Sequence, residues 1–465
     1  MNNEKKAFKA GLWYTVSNFF TSAVGFITIP IFTRLLSKED FGLYNNYTSW
    51  LNIVAVIMTL KFNASLISAR YDYKKNFDEY IFSLIVLNFI AVCCWSGVIN
   101  YFSSFFLEIT HIEMTYMNAM MIYLMFFPVV EMFQSRERFL YKYKVSALLS
   151  AGMAVASGIL SIVLVLSLDN KLSGIIFGMT IPAVVAGIFI SIFLGIKGKS
   201  IRVSYWTYAI PICLPYIPHL LASSLLNSMD RVMIERFCGS EATAVYSLAY
   251  NCGWIATLLI SALNMAFVPW LGEMLNEKKY FIIRSFSKKY IIVFLLLAIV
   301  LMLIAPEILY ILGGTPYMDA MYVITPVAMG CVCQFLYTLY VNVEQFNKKT
   351  LGMAIATVLA AIINYGLNLM LIPILGYVVA AYTTLVGYFS LLLMHMYLVK
   401  LLSVNDIYDN RFVLKIVAIG TVIMLIITLL YDFRIMRYIV TLIYVFVLVS
   451  LGYKERDTLR MMLKK

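Results

Sequence analysis

The sequence predicts an all-α, polytopic membrane protein with about fourteen transmembrane helices. Hydrophobic residues make up 62% of the 465 residues, charged residues make up only 13%, and the mean hydropathy is +0.86. An ordinary soluble domain has about 25% charged residues. A chain this apolar is suited to a lipid bilayer, where helices satisfy their own backbone hydrogen bonds. We therefore expect a multi-pass protein embedded in the bilayer.

The predicted spans follow from length and apolar content. A helix needs roughly 20 predominantly apolar residues to cross the hydrocarbon core. The stretches that meet this requirement are residues 10–32, 41–65, 81–102, 116–133, 145–168, 174–196, 209–229, 242–270, 290–312, 320–343, 350–373, 377–399, 412–431 and 436–453. The segments between them are predicted to be loops.

Lysine and arginine alternate between successive hydrophilic segments. Of the 36 basic residues, 28 lie in or beside the odd-numbered segments counted from the N-terminus and 7 in or beside the even-numbered ones, while Lys61 lies inside the second span. Cytoplasmic loops carry the excess of basic residues in membrane proteins. We therefore expect both termini to be cytoplasmic. The net charge of +12 reflects this topology, and we expect no nucleic-acid partner.

Catalysis and metal binding find little support in the sequence. Gly198-Lys199-Ser200 resembles the end of a phosphate-binding loop, but Phe193 stands where that motif requires a glycine. The predicted outer loops are too short to carry a catalytic domain. The seven cysteines lie almost entirely inside spans and are not at metal-motif spacing to the three histidines. We expect no enzyme activity, no catalytic residue, no metal and no cofactor.

The seventh span contains an unusual group of residues. Pro211, Pro215 and Pro218 fall inside it, so the helix must kink or unwind where backbone donors are missing. Asp230 and Arg231 end the same run, where ionisable side chains either mark the interface or line a functional site. Both interpretations remain open at this point.

An internal repeat relates the two halves of the chain. Arg34, Glu39 and Tyr44 recur 202 positions later as the residues Arg236, Glu241 and Tyr246. The repeat unit holds six spans, an even number, so its copies insert with the same orientation. We predict two parallel six-helix lobes, residues 1–200 and 201–405, followed by an additional helix pair and cytoplasmic tail at 406–465. Substrate is then expected between the lobes.

Two stretches resemble a known family. Pro215-Tyr-Ile-Pro-His219, followed by Leu226-Asn227 and Asp230-Arg231-Val-Met-Ile234, is similar to the seventh-helix signature of bacterial polysaccharide flippases. The segment from Pro30 to Tyr44 resembles the first interhelical turn of the same family. These flippases, of the O-antigen and capsule type, belong to the multidrug/oligosaccharidyl-lipid/polysaccharide exporter (MOP) superfamily. Lys61 departs from the pattern, because a small or neutral residue is expected there.

The resemblance implies a function. It implies a flippase of the bacterial inner membrane that moves a polyprenyl-diphosphate-linked oligosaccharide to the outer leaflet, for capsule or lipopolysaccharide synthesis. The lipid bilayer and the lipid-linked glycan are its expected partners, together with polysaccharide polymerase and chain-length proteins. The alternative is a drug or toxin exporter of the same superfamily, coupled to Na⁺ or H⁺. That alternative predicts acidic residues deep in the spans of one lobe.

The cargo chemistry selects candidate residues, since a diphosphate needs cationic side chains. The predicted substrate-binding residues are Arg34, Lys61, Arg70, His219, Asn227 and Arg231. The predicted outer gate consists of Asp230, Glu235 and Arg236, with Arg231 as an ion-pair partner.

Each candidate also has a structural interpretation. Arg34, Arg70 and Arg236 also fit helix ends that their side chains anchor by snorkelling. His219 equally fits a packing histidine. Lys61 is the strongest candidate, because intramembrane ions rarely face lipid. Glu131 and Glu344 are expected to cap intracellular helix ends and to pair with Arg136 or Lys348.

Overall fold

The computed structural model describes residues 2–140, 142–402 and 407–454, and within these ranges the regular structure is helical, without strands. The α-helices are α1 (Asn2–Leu35), α2 (Lys38–Met58), α3 (Leu66–Asp72), α4 (Phe77–Tyr101), α5 (Ser103–Thr110), α6 (Met114–Phe139), α7 (Tyr143–Ser167), α8 (Lys171–Gly198), α9 (Val203–Cys213), α10 (Ile217–Cys238), α11 (Ser240–Asn276), α12 (Tyr280–Gly313), α13 (Met321–Phe346), α14 (Thr350–Leu375), α15 (Val379–Leu401), α16 (Asn410–Leu430) and α17 (Arg434–Lys454). Three 3-10 helices connect some of them, at Phe62–Ser65, Leu214–Tyr216 and Thr315–Ala320.

The predicted all-α membrane class is confirmed, whereas the count of fourteen spans is not. Of the helices in the described residues, 11 are long and apolar enough to cross a membrane, or 12 if one bent pair counts as a single span. The first and last predicted spans, in α1 and α17, run into residues whose side chains are outside the described part of the chain, so neither is among the 11. The predicted tail after residue 454 lies outside the described residues.

The second predicted span is broken, which the sequence did not predict. Helix α2 ends at Met58, and a bend of 49° separates it from the helical segment that starts at Phe62. Leu60 and Lys61 have φ angles of 47° and 44°, in the left-handed region that an L-residue rarely adopts. The Thr59 hydroxyl donates to the carbonyl oxygen of Ala55 at 2.7 Å and closes the last turn of α2. Lys61 therefore lies at a break rather than inside a continuous helix.

The predicted interruption of the seventh span is confirmed. The run Val203–Cys238 consists of α9, a 3-10 turn at Leu214–Tyr216 and α10. Pro215 is the second residue of the 3-10 turn and Pro218 is the second residue of α10, within the first turn, where a missing backbone N–H costs least. The prolines thus divide one membrane crossing into two helices.

The repeated residues occupy equivalent helix junctions. Arg34 lies in the last turn of α1 and Glu39 in the first turn of α2, just as Arg236 lies in the last turn of α10 and Glu241 in the first turn of α11. Both arrangements stabilise the helix ends, because a cation interacts favourably with the dipole at a C-terminus and an anion with the dipole at an N-terminus. The repeat therefore has a physical basis at these two junctions.

The two junctions also approach each other closely. Helix α2 packs along α10, and a Cβ atom added at Gly42 would lie 1.8 Å from the carbonyl oxygen of Ser240. Only a residue without a side chain allows the backbones to come this near. Gly42 therefore positions the start of α2 against the turn that follows α10.

By packing, the chain falls into two compact units. Unit 1 comprises residues 1–247 and 357–377, and unit 2 comprises residues 248–356 and 378–465. The predicted division into lobes at 1–200 and 201–405, with a helix pair at 406–465, is not tested by this grouping and stays a prediction.

Each unit has its own core. In unit 1, buried side chains of α4, α6, α8 and α9 pack together, among them Tyr80, Ile81 and Leu194, each almost fully buried. In unit 2, α13 is the central helix and packs against α12, α15 and α16. Phe294 of α12 stacks on Phe335 of α13 with 4.2 Å between ring centroids. Apolar side chains fill both cores.

Candidate functional site

The predicted residues of the seventh span lie on different faces of α10. Asn227 is exposed and donates through Nδ2 to the carbonyl oxygen of Ser223 at 2.7 Å. Arg231, one turn further on, donates through Nη1 to the carbonyl oxygen of Asn227 at 3.3 Å. These residues recur every four positions, so they form one polar stripe along the helix. His219, nearer the start of α10, is half-buried.

Asp230 lies in a buried polar cluster. Its side chain is 1% exposed, and its carboxylate accepts hydrogen bonds from the Tyr246 hydroxyl at 2.8 Å and from Asn368 Nδ2 at 2.7 Å. Asn368 Nδ2 also donates to Asn364 Oδ1 at 3.3 Å. We call Asp230, Tyr246, Asn364 and Asn368 the Asp230 cluster. These donors satisfy both carboxylate oxygens, which would be costly to bury without partners.

The sequence pointed to part of this cluster only. Asp230 was predicted as a gate residue and Tyr246 as part of the repeat, but Asn364 and Asn368 were missed. The available signal was their spacing, because two amides four positions apart in an apolar helix lie on one face. Polar residues inside spans usually face protein rather than lipid.

The predicted gate residues do not share one environment. Asp230 and Glu235 are buried, whereas Arg236 is exposed and lies 5.8 Å from the ring of Phe237. Glu235 accepts a hydrogen bond from the Ser240 hydroxyl at 2.6 Å through Oε1. Neighbouring residues of a helix do not face each other, so Asp230 and Arg231 project in different directions. Their role as a gate stays a prediction.

Lys61 lies near a carboxylate from another helix. Its positive charge acts on Glu131 of α6, and Asn63 Nδ2 donates to Glu131 Oε2 at 3.4 Å. Lys61 itself is half-buried at the break after α2. The sequence showed that no acidic residue stands one turn from Lys61, and tertiary folding supplies one.

The other two cationic candidates lie at helix ends. Arg34 is exposed and donates through Nη1 to the carbonyl oxygen of Pro30 at 2.7 Å, within its own helix. Arg70, in the last turn of α3, lies 5.8 Å from the ring centroids of Tyr71 and of Phe139. Stacking of this kind holds a guanidinium against aromatic rings.

Two predicted ion pairs were wrong. Arg136 pairs with Asp78 and Glu137 instead of Glu131, because α4 packs against α6 and brings Asp78, in the first turn of α4, within 2.6 Å of its guanidinium. Glu344 of α13 pairs with His395 of α15 at 2.7 Å, with both side chains buried, instead of Lys348. The packing of α13 against α15 supplies this partner, which no spacing in the sequence indicates.

Within the described ranges, no group of three or more His, Cys, Asp or Glu side chains is arranged to hold a metal ion. The Asp230 cluster instead offers one carboxylate, two amides and a phenol.

Comparison with known proteins decides the family. The family model described as "Polysaccharide biosynthesis protein" matches residues 7–275, more than half of the chain. The chain belongs to this family. A second family model, MatE, matches residues 215–370. The resemblance predicted from the seventh-helix and first-turn motifs is therefore confirmed.

Relatives and solved structures agree with this assignment. "Lsg locus putative protein 1" of Haemophilus influenzae is 21% identical over 375 residues, covering 77% of this chain and 89% of that protein. The structure of "Lipid II flippase MurJ, inward closed conformation" superposes with a TM-score of 0.70 at 14% identity, covering 96% of this chain and 99% of that chain.

A multidrug resistance transporter of the superfamily has the same fold. The inward-facing structure of a "multidrug resistance MATE family transporter of the MOP superfamily" gives a TM-score of 0.64 at 14% identity, covering 83% of this chain and 96% of that chain. This member of the polysaccharide biosynthesis family is thus a multi-pass membrane protein that shares its fold with a flippase and with a MOP transporter, in agreement with the expectation that it is not an enzyme.

Proposed function

We propose that the protein translocates a polyprenyl-diphosphate-linked oligosaccharide across the cytoplasmic membrane by alternating access. The observation that carries the proposal is the match to the polysaccharide biosynthesis family over residues 7–275. The flippase-type fold supports a lipid-linked cargo, whose tail remains in the bilayer while its polar head crosses. Capsule or lipopolysaccharide synthesis is the process served, in the inner membrane of a bacterium.

The cationic residues suit such a cargo. Lys61 and Arg70 belong to the same broken span and lie in the half that is expected to be cytoplasmic. Cationic groups at that level attract the diphosphate before the head group enters the protein. Arg231 and the gate residues Asp230, Glu235 and Arg236 belong to the other end of the path in this proposal. Polymerase and chain-length proteins are its expected partners.

The membrane potential is a sufficient driving force in principle. A potential that is positive outside favours outward movement of an anionic cargo by about 2.3 kcal/mol per net charge per 100 mV. The proposal therefore requires no co-transported cation.

Loss of the gene tests this function. We expect deletion cells to accumulate the lipid-linked oligosaccharide on the cytoplasmic face and to recover when the wild-type gene is restored. Purified protein in vesicles should move the same lipid-linked glycan between leaflets. Normal surface glycan and no accumulated intermediate in the deletion strain would contradict the proposal.

A cation-coupled exporter is the second candidate, and the Asp230 cluster favours it. That function predicts an acidic residue deep in the spans of one half, and Asp230, although near the end of the seventh span, is 1% exposed. A buried carboxylate becomes neutral when it binds a proton or a small cation, which couples it to an ion gradient. Vesicles that extrude small cationic drugs under a Na⁺ or H⁺ gradient, without moving lipid-linked glycan, would establish this alternative.

A further inference from the structure

A basic cavity of about 560 Å³ lies within unit 1. It is formed by the start of α4, the ends of α6 and α8, and the residues that lead into α9. All of these belong to segments that are expected to be cytoplasmic. Its lining residues are Lys74, Lys75, Asn76, Phe77, Asp78, Glu79, Arg136, Leu140, Lys197, Gly198, Lys199, Ser200 and Arg202.

The acidic residues of the cavity neutralise its arginines. Asp78 binds Arg136 through two hydrogen bonds, to Nε at 2.6 Å and to Nη2 at 2.8 Å, and Glu137 binds the same guanidinium. Glu79 accepts a hydrogen bond from Arg202 Nε at 2.6 Å. The two carboxylates that line the cavity are therefore engaged by the two arginines.

Four lysines remain around the cavity: Lys74, Lys75, Lys197 and Lys199. All are exposed, and within the described ranges none of their ammonium groups forms an ion pair with a carboxylate. Lys197 lies 4.5 Å from the ring centroid of Phe193, which directs its stem along the apolar surface. The cavity consequently carries a surplus of positive charge that its own residues do not neutralise.

The position of these charges is set by helix packing. A Cβ atom added at Gly198 would lie 2.9 Å from Cβ of Phe82 and 3.0 Å from the carbonyl oxygen of Asp78, so the end of α8 is pressed against the start of α4. Lys199 then takes a left-handed φ of 61° and closes α8 with a hydrogen bond to Gly195 at 3.0 Å. This contact brings the lysines that end α8 to the segment that holds Lys74 and Lys75.

We propose that this cavity binds the phosphate headgroup of an anionic phospholipid of the cytoplasmic leaflet. Cationic side chains next to the cytoplasmic ends of spans attract anionic lipids, and basic pockets between helices hold their headgroups. A phosphate diester needs several donors at one place, which the four lysine ammonium groups provide. The bound lipid would tie together the segments before α4 and after α8. This inference rests on the predicted orientation and not on the cargo.

The test compares two sets of four lysine changes. Lys74→Gln, Lys75→Gln, Lys197→Gln and Lys199→Gln together remove the charge of the cavity. The matched control carries Lys278→Gln, Lys279→Gln, Lys348→Gln and Lys349→Gln, which remove four exposed charges from other segments that are expected to be cytoplasmic. Lys278 and Lys348 have left-handed φ angles of 56° and 58°, so the control reproduces the backbone setting of Lys199.

Binding is measured on the full chain in nanodiscs of phosphatidylcholine. Short-chain phosphatidylglycerol is titrated in, and the bound lipids are counted by native mass spectrometry. We expect the cavity variant to bind phosphatidylglycerol about tenfold more weakly, while the control variant changes by less than about twofold. Unchanged binding by the cavity variant would overturn the proposal. Equal losses in both variants would overturn it as well, because they indicate general surface attraction.

A second arm distinguishes the source of the phosphate. Inorganic pyrophosphate is titrated into the same nanodiscs as a probe for the diphosphate group that a cargo carries. Lysine-dependent binding of phosphatidylglycerol supports the membrane-lipid site. Lysine-dependent binding of pyrophosphate alone would overturn it in favour of a cargo site. No transport is measured, so failure here leaves the proposed function unaffected.

Discussion

At the scale of single residues, polar side chains inside the spans have partners from distant parts of the chain. Asp230 receives hydrogen bonds from Tyr246 and Asn368, and Lys61 lies near Glu131. Such groups are costly in a membrane unless they are paired or face water. The residues that carry function are therefore expected among them, and two predictions follow from their contacts.

Lys61 and Arg231 are predicted to be essential for transport. Lys61→Ala and Arg231→Ala should each abolish export of lipid-linked glycan at normal protein abundance, because each removes a cation from the proposed path. Lys61→Arg should retain part of the activity, since it keeps the positive charge but replaces a compact ammonium with a planar guanidinium. Arg434→Ala is the control and should be neutral, because Arg434 is exposed.

Export is measured as surface glycan per unit of immunodetected protein. Wild-type export by both Lys61→Ala and Arg231→Ala would contradict the cationic path.

Tyr246→Phe is predicted to destabilise the protein more than Tyr444→Phe does. Tyr246 donates to the Asp230 carboxylate, and a hydrogen bond to a charged group contributes about 1.5–3 kcal/mol. Tyr444 donates to the neutral carbonyl oxygen of Leu296 at 3.1 Å, where about 0.5–1.5 kcal/mol is expected. The thermal unfolding midpoint in detergent compares the two variants. Equal shifts of the two midpoints would show that the hydrogen bond from Tyr246 to Asp230 stabilises the protein no more than the bond from Tyr444 to a neutral carbonyl oxygen.

At the scale of helices, an ion pair between Arg437 and Glu307 joins α17 to α12. Arg437 is buried and binds Glu307 through Nη1 at 2.6 Å and Nη2 at 2.5 Å, and Nη1 also donates to the carbonyl oxygen of Leu303 at 2.7 Å. An arginine fork with a carboxylate has a fixed geometry. It therefore holds two helices in one register.

Arg437→Ala should lower stability by about 2 kcal/mol or more. The loss is smaller than for a wholly buried pair because the Glu307 side chain is 38% exposed. Arg434→Ala is the matched control in the same helix, since Arg434 is exposed and its contacts are with the side chain of Tyr438, whose hydroxyl accepts its hydrogen bond at 3.0 Å. Both are compared by thermal midpoint. A shift as large in the control as in Arg437→Ala would rule out a special role for the pair.

At the start of α16, the contacts of Asp409 predict that stability depends on pH. The Lys288 ammonium, the Phe412 backbone N–H and Arg284 lower the pKa of Asp409 from 3.8 to about 2. Because the pKa is lower in the folded protein, the stabilisation is fully present above about pH 4 and is lost as the pH falls towards 2. The Asp409→Asn variant has no carboxylate to protonate there, so it should not lose this stabilisation at low pH.

The measurement is the thermal midpoint of wild type and variant at pH 6, 4 and 3. The difference between them should shrink as the pH falls. If the difference in thermal midpoint between wild type and Asp409→Asn did not change with pH, the Asp409 carboxylate would not be the group responsible.

At the scale of the whole molecule, topology is the testable property. The partition of basic residues predicts that Ser173, Thr315 and Asp432 lie outside and that Lys279 lies inside. Thr315, Asp432 and Lys279 are exposed, so cysteines placed there are accessible to a reagent. In a cysteine-free background, an impermeant thiol reagent should label the first three positions in intact cells. Labelling of Lys279→Cys in intact cells would show that the predicted topology is wrong.

The sequence by itself determined the class of the protein, the broken seventh span and the family. Apolar length, the proline positions and the motifs from Pro30 to Tyr44 and from Pro215 to Ile234 are local properties, so they can be read along the chain. The equivalent junctions at Arg34 and Arg236 were also visible, because helix ends select the sign of nearby charges.

Only the tertiary structure decided which polar groups meet. Asn368 reaches Asp230, Glu131 lies near Lys61, and His395 rather than Lys348 holds Glu344. Each of these contacts joins helices that are far apart in sequence, so no local spacing encodes it. The break at Lys61 likewise depends on a left-handed backbone that residue types alone do not reveal, because leucine and lysine ordinarily favour a continuous helix.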